Sequence, residues 1–399
     1  MAGLLLAACA GNPPLAGAPQ LAPQDPLYAA ARFLDSAIAR GAAPGAEIGV
    51  SWHGRRWYYG TGRLGQDDPT RPDSLTEYDL ASMTKVVALT TLAMQAVSEG
   101  RLDLDAPIQR YVPAFQGAHK DAVTLRHLLT HSAGLPAWRP LYLGADSRAA
   151  AFALADTTPL DTLPGARMVY SDLGIIVMTQ ALEGVYGHRL DTLFAERVAA
   201  PLGLTDTRYL PPETWRARTA PTELDTAWRR RMLRGEVHDE NASRLDGVSG
   251  HAGLFSDARD LLAFGEWLLA ARREALAGCP APSTRGAGDC PAEPLAPPSA
   301  LPQFLRRQEV VPGSSRALGW DTPTPGGSGG SLLSPESVGH TGFTGTSIWI
   351  DPTRDLVIVV LSNRVHPTRE NQLWLRLGVR GGVADRVVRA LERLPVAGE

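Results

Sequence analysis

The 399-residue sequence is poor in lysine, cysteine, net charge and long apolar runs. Lys and Arg together number 39, but only Lys85 and Lys120 are lysines, which leaves 37 arginines. Where any cation serves, this chain uses Arg. A retained Lys therefore marks a place where an amine able to lose its proton is wanted, a property Arg lacks. Lys85 fits that description, and Lys120, between His119 and Asp121, reads as plain surface. The formal net charge of −3 leaves no basic footprint, so a nucleic-acid partner is excluded. No stretch approaches the roughly 18–20 apolar residues that span a bilayer. With 44% hydrophobic and 20% charged residues, the composition also excludes wholesale disorder.

The N-terminus, MAGLLLAACA, is a short apolar run ending near Cys9. Leu6-Ala7-Ala8-Cys9 resembles a bacterial lipobox, although the basic segment expected before it is absent. Residues 1–26 are thus expected to form a signal segment and a Pro/Ala/Gly-rich tether, with Cys9 lipidated. No Asp follows Cys9, which fits an outer-membrane anchor. The expected location is the cell envelope, as a periplasmic or outer-membrane lipoprotein, or outside the cell. Cys279 and Cys290 flank a Pro/Gly/Ser-rich stretch. In an oxidising compartment they are expected to close a loop, at a gain of about 3 kcal/mol.

The periodicity predicts a helix over Leu27–Arg40 and two strands within Ala46–Leu64, turning at His53-Gly54-Arg55. An apolar helix is predicted from Ser82 to Val97. Mostly helical pattern then continues to about residue 275, with loops near 277–313 and 323–335. Strands at Thr346–Asp351 and Asp355–Ser362 and a helix at Val383–Leu394 close the chain. The expected fold is α/β in the α+β sense, one catalytic domain over 27–399. An antiparallel sheet is built from both chain ends (27–80 and 336–399), flanked by helices, with an inserted, mainly helical region at 81–335.

Three short segments carry chemistry. In Ser82-Met83-Thr84-Lys85 the serine and lysine share one helical face, so the amine can reach the hydroxyl. The helix N-terminus favours an alkoxide-like oxygen. A neutral amine could take the serine proton, which requires a depressed lysine pKa. Tyr170-Ser171-Asp172 precedes an apolar run, and a tyrosine beside a lysine can act as general base and acid. Gly339-His340-Thr341-Gly342 precedes the last strands, as a small-residue strand edge along which a substrate backbone could lie.

In this order and spacing the three segments resemble those of the serine β-lactamase and penicillin-binding protein superfamily. The likeness is greatest to its class C β-lactamase-like hydrolases. Residues 123–136 (VTLRHLLTHSAGLP) and 250–256 (GHAGLFS) add to it. Residues 237–241 (VHDEN), 339–346 and 363–369 (NRVHPTR) resemble the branch linked to peptidoglycan turnover. The resemblance implies a β-lactamase/transpeptidase-like fold and an acyl-enzyme on Ser82, with Lys85 as its proton partner and Tyr170 as base and acid. The N–H groups of Ser82 and Phe343 would form the oxyanion hole. Asp172, His340, Thr341, Gly342, His238, Arg364 and His366 would contact substrate. Implied substrates are peptidoglycan-derived peptides or amides with D-amino acids. Alternatives are a carboxylesterase, a weak β-lactamase, or a penicilloyl- or muropeptide-binding sensor.

Two positions depart from the family pattern: Asp172 stands where Asn is usual, and His340 where Lys is usual. Both argue against β-lactam turnover. If His340 titrates near neutrality, penicillin acylation should be faster near pH 5.5 than near pH 8. His127 and His131 lie four apart without the rest of a metal motif. No metal, no cofactor and a monomeric chain are expected.

Overall fold

The computed structural model describes residues 21–277 and 298–394. Cys9, Cys279 and Cys290, and with them the lipidation and disulfide expectations, lie outside the described residues. Five strands, β1 (Gly45–Trp52), β2 (Arg55–Gly62), β3 (Val338–Thr341), β4 (Ser347–Asp351) and β5 (Leu356–Ser362), form one antiparallel sheet of order β2-β1-β5-β4-β3. The helices α1 (Tyr28–Ala39), α4 (Ala258–Leu276) and α5 (Val379–Leu391) pack on it, while α2 (Thr91–Ser98) and α3 (Asp172–Tyr186) lie in the inserted region. The predicted strands β1, β2, β4 and β5 and the terminal helices α1 and α5 are present, with ends moved by a few residues. The last helix starts four residues early, at Val379.

Strand alternation sorts the core into two layers. Ile48, Val50, Ile358 and Val360 face α1 and α5, together with Leu34, Val383 and Val387. Val357, Val359 and Leu361 face the other way, toward α4 and the inserted region. With both faces covered, β5 reads as an unbroken apolar run. Gly265 lets α4 approach closely, since a Cβ there would lie 2.6 Å from Val357.

The inserted region is not wholly helical. Tyr78–Asp79 and Arg208–Tyr209 pair on either side of Leu254–Ser256, and Leu224–Asp225 pairs with Arg231–Met232. These strands are two or three residues long, too short for alternation to reveal them. A short helix, Leu301–Leu305, also lies within the stretch expected to be loop. Among the described residues no helix is long and apolar enough to cross a membrane.

Candidate active site

The chain reaches Ser82 from Tyr78–Asp79. Leu80 N–H donates to Leu254 O at 3.0 Å, and Ala81 N–H donates to Asp79 Oδ1 at 2.8 Å. Ala81 is left-handed (φ 46°), a conformation costing an L side chain roughly 1–2 kcal/mol. These bonds hold it there, and the chain turns sharply through Ala81–Met83 into the helix. The regular helix predicted over 82–97 is interrupted: Lys85–Thr90 is a wide π-helical segment, and α2 follows. Such segments recur at functional sites because they re-aim side chains.

Lys85 Nζ donates to Ser82 Oγ at 2.8 Å and to His251 O at 3.0 Å, and lies 2.7 Å from Asp172 Oδ1. The side chain is 1% exposed. Burial by itself would lower the amine's pKa, but Asp172 and Tyr170 outweigh it and hold the value above the ordinary one. This corrects the expectation of a depressed lysine: Lys85 is an ammonium. The carboxylate responsible stands in the first turn of α3, where a helix favours negative charge.

Tyr170 precedes that helix, which Ser171 caps by accepting from Gly174 N–H. Ser171 Oγ donates to Pro136 O at 2.7 Å, and Ser171 N–H donates to His131 Nδ1 at 3.1 Å. His131 is therefore a neutral acceptor, and burial, then Arg316, push its pKa well down. The Tyr170 hydroxyl is buried with no hydrogen-bond partner among the described residues. Lys85 Nζ lies 5.0 Å and the Arg316 guanidinium 5.3 Å from its ring centre.

The third wall is β3, the edge strand. A Cβ on Gly342 would lie 2.1 Å from Thr346 Oγ1 and 2.3 Å from Leu80 O, so only glycine lets this strand end lie against the segment leading to Ser82. Thr344 Oγ1 donates to Asp79 O at 2.7 Å, tying the same two segments together. Between them the Phe343 N–H makes no backbone hydrogen bond among the described residues. His340 is 3% exposed and its Nδ1 lies 2.9 Å from Thr341 O. Burial, then Arg316 and Lys85, push its pKa well below the usual histidine value. It is neutral, which corrects the expectation that it titrates between pH 5.5 and 8.

These walls enclose a cavity of about 370 Å³. Of the residues singled out from sequence, Ser82, Tyr170, His340, Thr341, Gly342, Phe343 and Arg364 line it. Lys85 and Asp172 join it through Ser82. Three predicted contacts do not line it: Asp172, which lies against Lys85, and two histidines. His366 is turned away, accepting from Gln66 N–H at 3.0 Å through Nε2. His238 pairs with Glu223 at 2.9 Å and stacks on Phe343 from behind, ring centres 5.8 Å apart. Its neighbour Asp239 holds His251 at 2.8 Å, so this polar cluster supports the carbonyl that receives Lys85. Lys120 is buried, not surface: Nζ donates to Asp156 O and lies 4.3 Å from the Phe115 ring centre.

Sequence reasoning missed Arg316, Arg380 and Asp321 in the lining. Arg316 sits in an aperiodic Gly-Ser-Ser-Arg loop, and Arg380 near the start of α5 resembles any solvent-facing arginine. Away from the cavity, Glu77, Asp206 and Asp257 bring carboxylate oxygens within 4.8 Å of one another. Arg218 lies 3.2 Å from Glu77 and also pairs with Asp206.

Residues 30–380 match the Beta-lactamase family. A relative from Escherichia coli strain K12, named "Putative D-alanyl-D-alanine carboxypeptidase", is 31% identical over 388 residues, covering 86% of this chain and 83% of that protein. The crystal structure of a β-lactamase/D-alanine carboxypeptidase from Pseudomonas syringae superposes with a TM-score of 0.69. It is 20% identical and covers 94% of this chain and 100% of its own. EstCE1, described as a hydrolase with promiscuous acyltransferase activity, gives 0.66 at 23% identity, covering 90% and 99%. The antiparallel sheet with flanking helices is the fold of these two structures. With the family match spanning most of its length and a relative above 30% identity, the chain belongs to the β-lactamase family and is a serine hydrolase.

Proposed function

We propose that this hydrolase forms an acyl-enzyme on Ser82 and releases a carboxyl-terminal D-amino acid from peptidoglycan-derived peptides. The observation that carries the reading is Lys85 Nζ, set 2.8 Å from Ser82 Oγ and 2.7 Å from Asp172 Oδ1 beneath a cavity rich in arginine. The Lys85 ammonium donates to Ser82 Oγ and so steadies negative charge developing there. Ser82 Oγ attacks the scissile carbonyl and its proton passes to the Tyr170 oxygen; Lys85 Nζ and the Arg316 guanidinium lie 5.0 and 5.3 Å from the centre of that ring. The N–H groups of Ser82 and Phe343 receive the oxyanion. Tyr170 then returns the proton to the leaving amine, the C–N bond breaks, and an ester remains. Water cleaves that ester by the same steps in reverse order.

Substrate choice follows from charge. Arg316 stacks on Tyr170, the group that protonates the leaving amine, so it lies where a leaving amino acid carries its carboxylate. Its Nε and Nη1 have no hydrogen-bond partner among the described residues. Thr341 on the strand edge supplies a hydroxyl, and neutral His340 adds no charge. The E. coli relative's name agrees with a carboxypeptidase. The reading carries a place with it, the cell envelope, with Cys9 as the anchoring residue. Defined muropeptides incubated with the protein and analysed by mass spectrometry test it. Loss of the terminal D-Ala, absent for Ser82→Ala, is the expected result. Release of the whole lactyl-linked peptide would make the enzyme an amidase.

A further inference from the structure

Two of the three cavity arginines do not belong to the leaving-group side. Arg364 is 1% exposed, lies 4.6 Å over the Phe343 ring, and donates from Nη1 to Asn371 O at 3.2 Å. Its buried Nε has no hydrogen-bond partner among the described residues. Arg380 donates from Nε to Gly345 O at 3.1 Å and from Nη2 to Gly342 O, on either side of Phe343. Both guanidiniums are thus attached to the loop whose N–H is assigned to the oxyanion, and both line the cavity with Gln372 and Leu375.

No ion pair to a carboxylate is made by Arg364 or Arg380 among the described residues. The one acidic residue in the lining, Asp321, is engaged by Ser315 at 2.6 Å and lies 3.9 Å from Arg316. Burial, and then Arg364, push the Arg380 guanidinium down to about 9. Burial likewise lowers Arg364, offset in part by Glu223. Two buried like charges side by side are costly unless something anionic enters between them. The positive potential reaches across the cavity, since Arg316, Lys85 and Arg380 all act to keep His340 neutral.

We propose that Arg364 and Arg380 form an anion subsite that takes a carboxylate carried by the acyl-donor part of the substrate, separate from the terminal carboxylate at Arg316. The proposal rests on the acyl-enzyme reading, in which the leaving group occupies the Tyr170 side and the acyl donor passes the oxyanion loop. Guanidinium suits the task because its planar fork gives a carboxylate two parallel hydrogen bonds. Substrates with an acidic side chain next to the scissile residue are therefore preferred over neutral ones of equal size.

The test compares two acyl donors that differ in one carboxylate: Nα-acetyl-Nε-succinyl-Lys-D-Ala and Nα-acetyl-Nε-butyryl-Lys-D-Ala. Each is titrated calorimetrically into the full chain carrying Ser82→Ala, so that binding is read without turnover. The succinyl compound is expected to bind about 10- to 100-fold more tightly, the range of one or two charge-assisted hydrogen bonds. Arg364→Met in the same background should reduce that ratio to near unity. A ratio compares two ligands on the same folded molecules, so partial unfolding of the variant cancels. Equal affinities in the parent, or a preference that survives both Arg364→Met and Arg380→Gln, would overturn the subsite. The corresponding D-Ala-D-Ala peptides, given to the enzyme with Ser82 intact, report on the underlying reading. Preferential binding without release of D-Ala overturns the peptidase assignment and leaves the subsite standing.

Discussion

Lys85 Nζ lies 2.7 Å from Asp172 Oδ1, and Asp172, with Tyr170, holds the amine's pKa above its ordinary value against the pull of burial. Burial alone pulls the amine the other way. A position where the family more often has Asn thus becomes the group that keeps Lys85 protonated.

Asp172→Asn should therefore lower the Lys85 pKa. If the ammonium is the active form, the alkaline limb of kcat/KM against pH moves to lower pH in the variant. A p-nitrophenyl ester followed from pH 6 to 10 reads this directly. Superimposable profiles for the two proteins would refute the ammonium role.

Tyr170→Phe removes a hydroxyl that has no hydrogen-bond partner among the described residues, so the folded state should lose little. Activity should fall by about 10²–10⁴-fold, the usual contribution of a general acid–base group. Thermal melting and ester hydrolysis, measured on the same preparation, separate the two effects. Wild-type turnover in the variant would send the search to another base.

Burial beside Arg316 and Lys85 pushes the His340 pKa well below the usual histidine value, so its protonation should not speed penicillin acylation at mild acidity. His340→Gln should show the same shape of acylation rate against pH as wild type between 5.5 and 8. Nitrocefin turnover by wild type should remain below about 10⁴ M⁻¹s⁻¹, the low end of ordinary enzyme efficiency. A rate that rises toward pH 5.5 in wild type and stays flat in His340→Gln would restore a titrating histidine.

Stability should fall as pH rises above about 7. Burial raises Glu77 to about 9, despite Arg218, and raises Asp257 to about 7. Both values exceed those of the unfolded chain, near 4, so the folded state holds extra protons. The linked stability is fully present below about pH 4 and is lost as pH climbs through 7 and then 9. Below pH 7 the depressed His131 and His340 act in the opposite sense, so the fall is read between pH 7 and 9: the melting temperature should decline over that interval, and Glu77→Gln should flatten the step. A melting temperature that climbs over this range in wild type contradicts the assignment.

Much of the architecture was legible because it rests on local pattern. The strands β1, β2, β4 and β5 and the helices α1 and α5 carry long periodic or continuous apolar segments. Glycine marks the strand ends. Ser82 and Lys85 were legible for a related reason, because a three-residue spacing on a helix is a local geometric fact. Tyr170 and Thr341 came only through the resemblance, since neither stands out by pattern. The two- and three-residue strands around Leu254–Ser256 were invisible, being shorter than any period.

Sequence by itself determined the family and the sheet made from both chain ends, and it brought out Ser82, Lys85 and Tyr170 as candidates. Tertiary structure decided the charges. Whether Lys85 is an amine or an ammonium depends on Asp172, 87 positions away in the chain and 2.7 Å away in space. Whether His340 titrates depends on its burial beside Arg316 and Lys85. Which arginines face substrate depends on where an aperiodic loop and the start of α5 come to rest. Charge states follow from solvent exclusion and from charges brought close by folding, and no local pattern records either quantity.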